Sequence, residues 1–425
     1  MSLYLCLWFS VAVAVNPPLG THQLLEYDVD LEASPLERYA NVYFDFLQRR
    51  GERGLKAFQE TYQAWHARLR SALPEIFGAN ETQKQQRWWE ALRRGHPVAA
   101  AELYGLSQRL GSDVAGDVAA LATAVSLYPL LIISPKALTD APGAPGRPSA
   151  CTSSLLSYGG LVYHGRSLDF EPRDPIAETT VVVRHKWRGE AQYTCLQPLV
   201  WTTALQWFTC VRPKAFSLSV NARAQGIYME SNSSFEELLR RVGSGAYLLG
   251  EIAEEAMAAK SYDEALQILS LAPVVSSNYF ILAGVDGQGA VITRFGNSSS
   301  ADVWSLDSSK VTCDGQPPWL RVQTNVDHWV PFGENYATHR RQHLVNMLTS
   351  SSGVPSKDQF LQAYFVSNAL EGSENRTQPE DTGAILRPTT IATIILNPSE
   401  QPDMRDWYIW NESAKILPPV SEQVI

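Results

Sequence analysis

Residues 151–169 constrain the fold of this chain more than any other stretch. A short apolar run follows Cys151, Tyr158-Gly159-Gly160 reverses it, and a second run, Tyr163-His164-Gly165-Arg166-Ser167-Leu168-Asp169, returns beside it. The pattern predicts a β-hairpin with a thiol near the start of one strand and a cation and a carboxylate near the end of the other. A fixed positive charge beside a thiol favours the thiolate, the nucleophilic form. The same residues also fit a buried cysteine beside a surface ion pair. Directly upstream, residues 135–150 carry Pro135, Pro142, Pro145, Pro148, Gly143 and Gly146 among small residues. This composition predicts a loop or linker and leaves the Ala150–Cys151 bond accessible.

Other periodicities place elements around this hairpin. Tyr27 and its neighbours alternate as a strand, and Ser34-Pro35 is a helix start with Pro at the first helical position. Two helical faces follow, one of Tyr39, Val42, Tyr43, Phe46 and Leu47, the other of Leu55, Phe58, Tyr62, Trp65 and Leu69. Such faces normally pack a core. With Arg49, Arg50, Arg53 and Lys56 between them, they also fit a surface that leans on lipid. Residues 118–134 are apolar but interrupted by Pro129 and short for a span, so they predict a buried helix and strand. Strands are expected at 179–184, 191–196, 216–220, 279–285, 290–295 and 389–396. Turns are expected at Arg188-Gly189 and at Asp286-Gly287. Helical periodicity runs over 235–271 with a break at 243–245, and over 357–370. Strands with helical layers between them predict an α+β fold.

The chain's 425 residues can bury a large core. Its formal charge of −9 argues against nucleic acid and suits an acidic compartment. Residues 1–15 are apolar and end in Ala12-Val13-Ala14, which predicts a signal peptide although no basic start precedes it. A retained anchor is the alternative, but the run is shorter than the ~20 residues of a span. With that start, the sequons at Asn80, Asn232, Asn297, Asn375 and Asn411 predict a secreted or lysosomal glycoprotein. If Cys6 leaves with the signal and Cys151 stays free, then Cys195, Cys210 and Cys313 allow at most one internal disulfide; Cys195 with Cys210 is one choice. No metal-ligand spacing and no phosphate-binding glycine loop is visible, so neither metal nor cofactor is implied.

Cys151-Thr152-Ser153 followed by the Tyr163–Asp169 run resembles the start of the catalytic subunit in the family of acid ceramidase and N-acylethanolamine-hydrolysing acid amidase. Far downstream, Thr324-Asn325-Val326-Asp327-His328-Trp329 resembles that family's Thr-Asn-Tyr-Asp-x-Trp motif. Ala301-Asp302-Val303-Trp304-Ser305-Leu306-Asp307 is more like the amidase branch. The resemblance implies the four-layer αββα sandwich of N-terminal nucleophile hydrolases. It implies a self-cleaved precursor, with a signal over 1–15, an α chain over 16–150 and a catalytic β chain over 151–425, the two chains held together as a non-covalent heterodimer. Cys151 would be nucleophile and, through its freed α-amine, general base, so no catalytic histidine is needed and His164 is structural. Arg166 and Asp169 would line the site, Asn325 would donate to the oxyanion, and the family's second arginine falls at Arg340. Asp327 and Trp329 would be scaffold.

Two departures stand out. The Pro/Gly-rich insert precedes Cys151, and Asn221-Ala222-Arg223 matches the family's Asn-Glu-Arg with alanine for glutamate. The implied activity is lysosomal hydrolysis of fatty-acyl amides, N-acylethanolamines first and ceramide second, with contact to a membrane surface as a further expectation. Trp201, Trp207, Phe208 and Phe216 would line an acyl channel or pack the core. Two other readings fit these residues: a different cysteine N-terminal nucleophile amidase, of the bile-salt hydrolase or penicillin acylase type, and a catalytically inert secreted lipid-binding glycoprotein.

Overall fold

A computed structural model describes residues 24–72, 80–127, 151–201, 209–223, 235–296, 300–307, 315–331, 336–350, 353–365, 385, 390–400 and 407–409. The leader, the 135–150 linker, Ala150, Cys313, Trp207, Phe208 and the sequons at Asn232, Asn297, Asn375 and Asn411 lie outside the described residues. Asn80 is described and exposed.

The strands are β1 (Glu26–Asp30), β2 (Thr152–Tyr158), β3 (Leu161–Asp169), β4 (Thr180–Trp187), β5 (Glu190–Pro198), β6 (Thr209–Arg212), β7 (Phe216–Ala222), β8 (Asn278–Gly284), β9 (Gly289–Arg294), β10 (Ala301–Ser305), β11 (Leu320–Gln323), β12 (Thr390–Leu396) and β13 (Trp407–Ile409). They form an eight-stranded sheet ordered β1-β4-β5-β6-β7-β8-β9-β10 and a five-stranded sheet ordered β11-β2-β3-β12-β13. Only β1 with β4 is parallel among these pairs.

The predicted hairpin is β2–β3, with Tyr158 opposite Leu161. Its two-residue turn puts Gly159 at φ 61° and Gly160 at φ 80°, where glycine carries no steric cost. The turns at Arg188-Gly189 and Asp286-Gly287 likewise take positive φ at both residues. Cys195 and Cys210 stand directly opposite on β5 and β6 and are bonded as a disulfide, leaving Cys151 as the free cysteine among the described residues.

Period-two alternation decides which face each strand residue serves. Leu155 and Val162 of the smaller sheet meet Tyr279, Ile281, Ala283, Val291 and Trp304 of the larger one, so the two sheets stack face to face. The outer face of the smaller sheet, through Leu156, Tyr163, Val322 and Ile395, packs on the helices Tyr336–Thr349 (α1) and Lys357–Phe365 (α2). Leu218, Val220, Phe280, Leu282 and Ile292 on the far face of the larger sheet join a core built with the N-terminal helices and with Leu249–Ala258 and Tyr262–Leu271. The layers therefore run helix, sheet, sheet, helix, as the resemblance implied.

Several expectations change. Pro35 does not open a helix. Glu37 and Arg38 donate back to the Ser34 carbonyl in an isolated turn, and the helix begins at Ala40. Across this turn the Arg38 guanidinium donates to the Leu31 carbonyl and to Glu102. The two aromatic helical faces do lie on two helices, which meet at a kink at the non-helical Gly51 (φ 54°) within Ala40–Ala72. Tyr39, Val42, Tyr43, Phe46, Phe58, Tyr62, Trp65 and Leu69 are buried and serve the core, whereas Leu55 is exposed. The 235–271 region breaks twice, giving Phe235–Gly243, Leu249–Ala258 and Tyr262–Leu271. Residues 118–127 are helical, turning to a π-helical turn at Thr123–Leu127. No helix among the described residues is long and apolar enough to cross a membrane.

Candidate active site

The predicted site residues converge at one end of the sandwich, where β2 begins and β3, β7 and β11 end. Alternation along β2 sends Cys151, Ser153 and Leu155 into the space between the sheets and Thr152, Ser154 and Leu156 to the outer face. On β3, His164 and Arg166 point inward, while Gly165, Ser167 and Asp169 point outward. Gly165 is required there, because a Cβ would lie 2.5 Å from the Tyr364 ring, whose hydroxyl bonds Ser154 Oγ at 2.5 Å.

On the inner side, Arg166 Nη2 donates to Cys151 Sγ at 3.2 Å. The other guanidinium nitrogen, Nη1, reaches the Val220 carbonyl at 2.6 Å, Ser153 Oγ at 3.2 Å and Asn221 Oδ1. On the outer side, Asp169 accepts from Thr390 Oγ1 at 2.7 Å and Ser167 Oγ at 3.1 Å, and it faces Arg340 Nη1 at 3.4 Å. Arg340 also donates to Thr152 Oγ1 at 3.2 Å and to Asn325 Oδ1 at 2.8 Å. That last bond fixes the Asn325 amide, whose Nδ2 donates to the Ala222 carbonyl at 2.9 Å. Cys151, Arg166, Asp169, Asn325 and Arg340 are thus all buried at this end of the sandwich, the Asp169 and Arg340 side chains meeting beside Thr152.

Burial changes the acidity expected of the thiol. Cys151 is fully buried, and desolvation pushes its thiol up, with the Asp169 charge adding to the rise. Arg166, the Asp169 backbone N–H and Arg340 pull the other way without reversing it. In the uncut chain the cation beside the sulfur therefore does not yield an acidic thiol.

His164 sits one layer deeper. Its Nδ1 meets Ser217 Oγ at 2.9 Å and its Nε2 meets Ser219 Oγ at 2.8 Å, so both ring nitrogens are engaged away from the sulfur. Burial and then the Arg166 charge push its pKa down to about 3. His185, buried between Tyr39 and Tyr193, is pushed down to about 3 by burial and then by Arg38. Both folded-state values lie below the ordinary ~6.5, so the unfolded chain takes up these protons first. Their stabilising effect is present above pH ~6.5 and is lost as the pH falls toward ~3. Each histidine costs about 1–2 kcal/mol at pH ~5. Glu254, whose carboxyl burial pushes up, opposes this in part. Urea unfolding at pH ~7 and ~5 is expected to show a net loss of about 2 kcal/mol in acid, with His185→Gln flattening the profile. A stability independent of pH across that interval would contradict the assignment.

The expected scaffold around Asn325 is anchored by Asp327, which binds Arg223 through both oxygens at 2.7 Å and accepts from Tyr279 at 2.7 Å. Trp329 is partly exposed and stacks on Phe295. Trp201 is packed against Trp65 and Phe170, and Phe216 lies on the helix-facing side of β7, so both serve the core. Ala222 shares that helix-facing side, opposite Asn221. Its methyl group does not point at Cys151.

Sequence reasoning did not assign roles to Thr152, Ser153, Ser219, Asn221, Tyr364 and Thr390, all of which bond within or around the cluster. A signal was present for two of them. In Phe216-Ser217-Leu218-Ser219-Val220-Asn221 every second residue is polar, and all are buried. Such a strand offers a polar seam to a second sheet.

No protein-family model matches the chain. Among curated proteins it is similar to the N-acylethanolamine-hydrolyzing acid amidase of Oryctolagus cuniculus, 31% identical over 189 residues, which is 43% of this chain and 48% of that protein. The Mus musculus enzyme of the same name is 25% identical over 327 residues, 76% of this chain and 75% of that one. An acid ceramidase of Heterocephalus glaber is 34% identical over 125 residues, 28% and 29% of the two chains. A solved Caenorhabditis elegans acid amidase ortholog aligns with a TM-score of 0.46 at 22% identity, over 61% of this chain and 100% of that one. The chain spans about half the length of the first curated relatives it matches. Its relatives are acid amidases and acid ceramidases, and the longer matches favour the amidase branch.

Proposed function

We propose that this chain is the precursor of a lysosomal or secreted cysteine amidase that hydrolyses fatty-acyl amides, N-acylethanolamines ahead of ceramide. One observation carries the reading. Cys151, the residue just before β2, holds its sulfur 3.2 Å from Arg166 between two stacked sheets, at the end where Asn325 and Arg340 gather.

Activation begins with attack of the Cys151 sulfur on the Ala150 carbonyl carbon. The acyl group shifts from nitrogen to sulfur and the Cys151 nitrogen leaves as a free amine. Water then hydrolyses the thioester, giving an α chain ending at Ala150, a β chain of residues 151–425 and a regenerated thiol. An α-amine titrates near ~7.7–8.0 and can accept the thiol proton, so one residue supplies nucleophile and base. The new ammonium beside the sulfur favours the thiolate and so works against the burial that keeps the thiol protonated.

In turnover the thiolate attacks the substrate carbonyl, with Asn325 donating to the oxyanion and Arg166 steadying charge near the sulfur. The ammonium at Cys151 gives its proton to the departing amine, and water releases the fatty acid from the thioester. Asp169, held by Arg340, Thr390 and Ser167, lies at the end of β3 beside the new chain start and suits the task of holding the amine.

The test is a hydrolysis profile of the processed protein against N-acylethanolamines, ceramide, conjugated bile acids and a penicillin. Fatty-acid release led by N-acylethanolamines is expected. Faster cleavage of bile-acid conjugates or penicillin would assign a different amidase, and an uncut protein with an unreactive Cys151 would favour the inert lipid-binding reading.

A further inference from the structure

Asn221 hydrogen-bonds to neither the thiol nor the Asn325 side chain, yet it joins both arms of the site. It lies at the end of β7 in the larger sheet and is fully buried. Its Nδ2 donates to the Gln323 carbonyl at 2.9 Å and reaches the Thr324 carbonyl at 3.4 Å. Those two acceptors fix the amide orientation, so Oδ1 must face the other way. There it accepts from Arg166 Nη1 and from Ser153 Oγ at 2.9 Å.

We propose that Asn221 is the positioning residue of this site: it clamps the Arg166 guanidinium against the Cys151 sulfur and ties that clamp to the backbone that carries Asn325. The physical case rests on the fan of acceptors around Arg166 Nη1. An arginine side chain has several rotatable bonds, and a single contact to sulfur would leave the guanidinium free to pivot. Three acceptors on one nitrogen, from Ser153, Val220 and Asn221, leave Nη2 one direction, and that direction is Sγ. Of the three, Val220 contributes a strand carbonyl that cannot be mutated away, and Ser153 is held by Asn221 at 2.9 Å and by Ser219 at 3.1 Å. Asn221 therefore supplies one acceptor and helps to hold a second. Because its other side is bonded immediately before Asn325, a shift of the residue 323–324 backbone would also move Arg166. The amide is needed in both directions: a carboxylate at 221 would set negative charge against the Gln323 and Thr324 carbonyls and would draw the guanidinium's field away from the sulfur.

The role rests on the amidase reading only for its effect on turnover. Its effect on the thiol is independent of any substrate and is read first. Thiolate ultraviolet absorbance is titrated against pH in the full protein, with a Cys151→Ser chain as the blank. In Asn221→Asp the titration midpoint of Cys151 is expected to rise by about one pH unit. In Asn221→Ala it should rise by less, because only the clamp and no opposing charge is involved. Amide turnover, measured on the same samples, should fall roughly 10²-fold in kcat with little change in KM. Thermal melts accompany both variants, and the near-isosteric Asn221→Asp stands in where Asn221→Ala does not fold. A lowered melting temperature with an unmoved thiol midpoint in the folded variant would overturn the positioning role and leave Asn221 a structural bridge. A protein whose thiol midpoint moves as expected but which cleaves no acyl amide would uphold the clamp and remove the amidase reading.

Discussion

Cys151→Ala is expected to leave the chain whole after incubation in acid and to abolish amide hydrolysis, a fall on the order of 10⁶-fold to the assay background. Both losses follow from one atom. The sulfur that would attack the Ala150 carbonyl is the sulfur that would later attack substrate, and the base for the second reaction is the amine that the first reaction frees. Replacing it removes one buried atom and the Arg166 contact at 3.2 Å, while Arg166 keeps its bonds to Val220, Ser153 and Asn221. The variant should therefore fold with the native circular dichroism spectrum. A Cys151→Ala chain that is still cut at the same bond would show that another protease performs the cleavage, and retained hydrolysis would remove Cys151 from the chemistry altogether.

Asn325→Ala is expected to lower kcat by about 10²–10³-fold with a much smaller change in KM, the loss typical of a single oxyanion donor. The uncut structure adds a condition to that expectation. Asn325 Nδ2 caps the Ala222 carbonyl, the last of β7, and Oδ1 receives Arg340. To serve an oxyanion, Nδ2 must exchange the Ala222 carbonyl for substrate. Truncation would also strip partners from two buried groups, at about 1–3 kcal/mol each, so stability has to be measured on the same samples. Asn325→Asp separates the effects. It keeps the size and the acceptor for Arg340 but removes the donor. A stable Asn325→Asp protein that is slowed as much as Asn325→Ala supports the donor role, and one that turns over at the wild-type rate contradicts it.

The hairpin was legible because it is local. Gly159-Gly160 can reverse a chain through positive φ, and the apolar runs on either side have strand length and pair in one register. The disulfide was one of several choices in the sequence, and it became specific only when β5 and β6 set Cys195 opposite Cys210. Helix starts were less legible. Ser34-Pro35 has the composition of a helix entry, but only a turn forms there and the helix begins at Ala40. The acidity of the thiol is not legible from neighbours in sequence alone. The neighbouring Arg166 is visible in the sequence, whereas the depth of burial that outweighs it comes from stacking two sheets. Arg340, next to the nearly identical Arg341, shows how fine the distinction can be. Arg340 turns to Asn325 and Thr152, and Arg341 turns to the backbone carbonyls of Asp327 and Val330.

Everything in the proposed chemistry depends on the chain being opened at one bond, because only then does Cys151 own both a thiol and an amine. N-terminal sequencing of the purified protein after incubation in acidic buffer tests this most directly. The account predicts a second chain whose first residue is Cys151. A chain that remains whole, or that opens at another bond, would leave the thiol without its base and contradict the account.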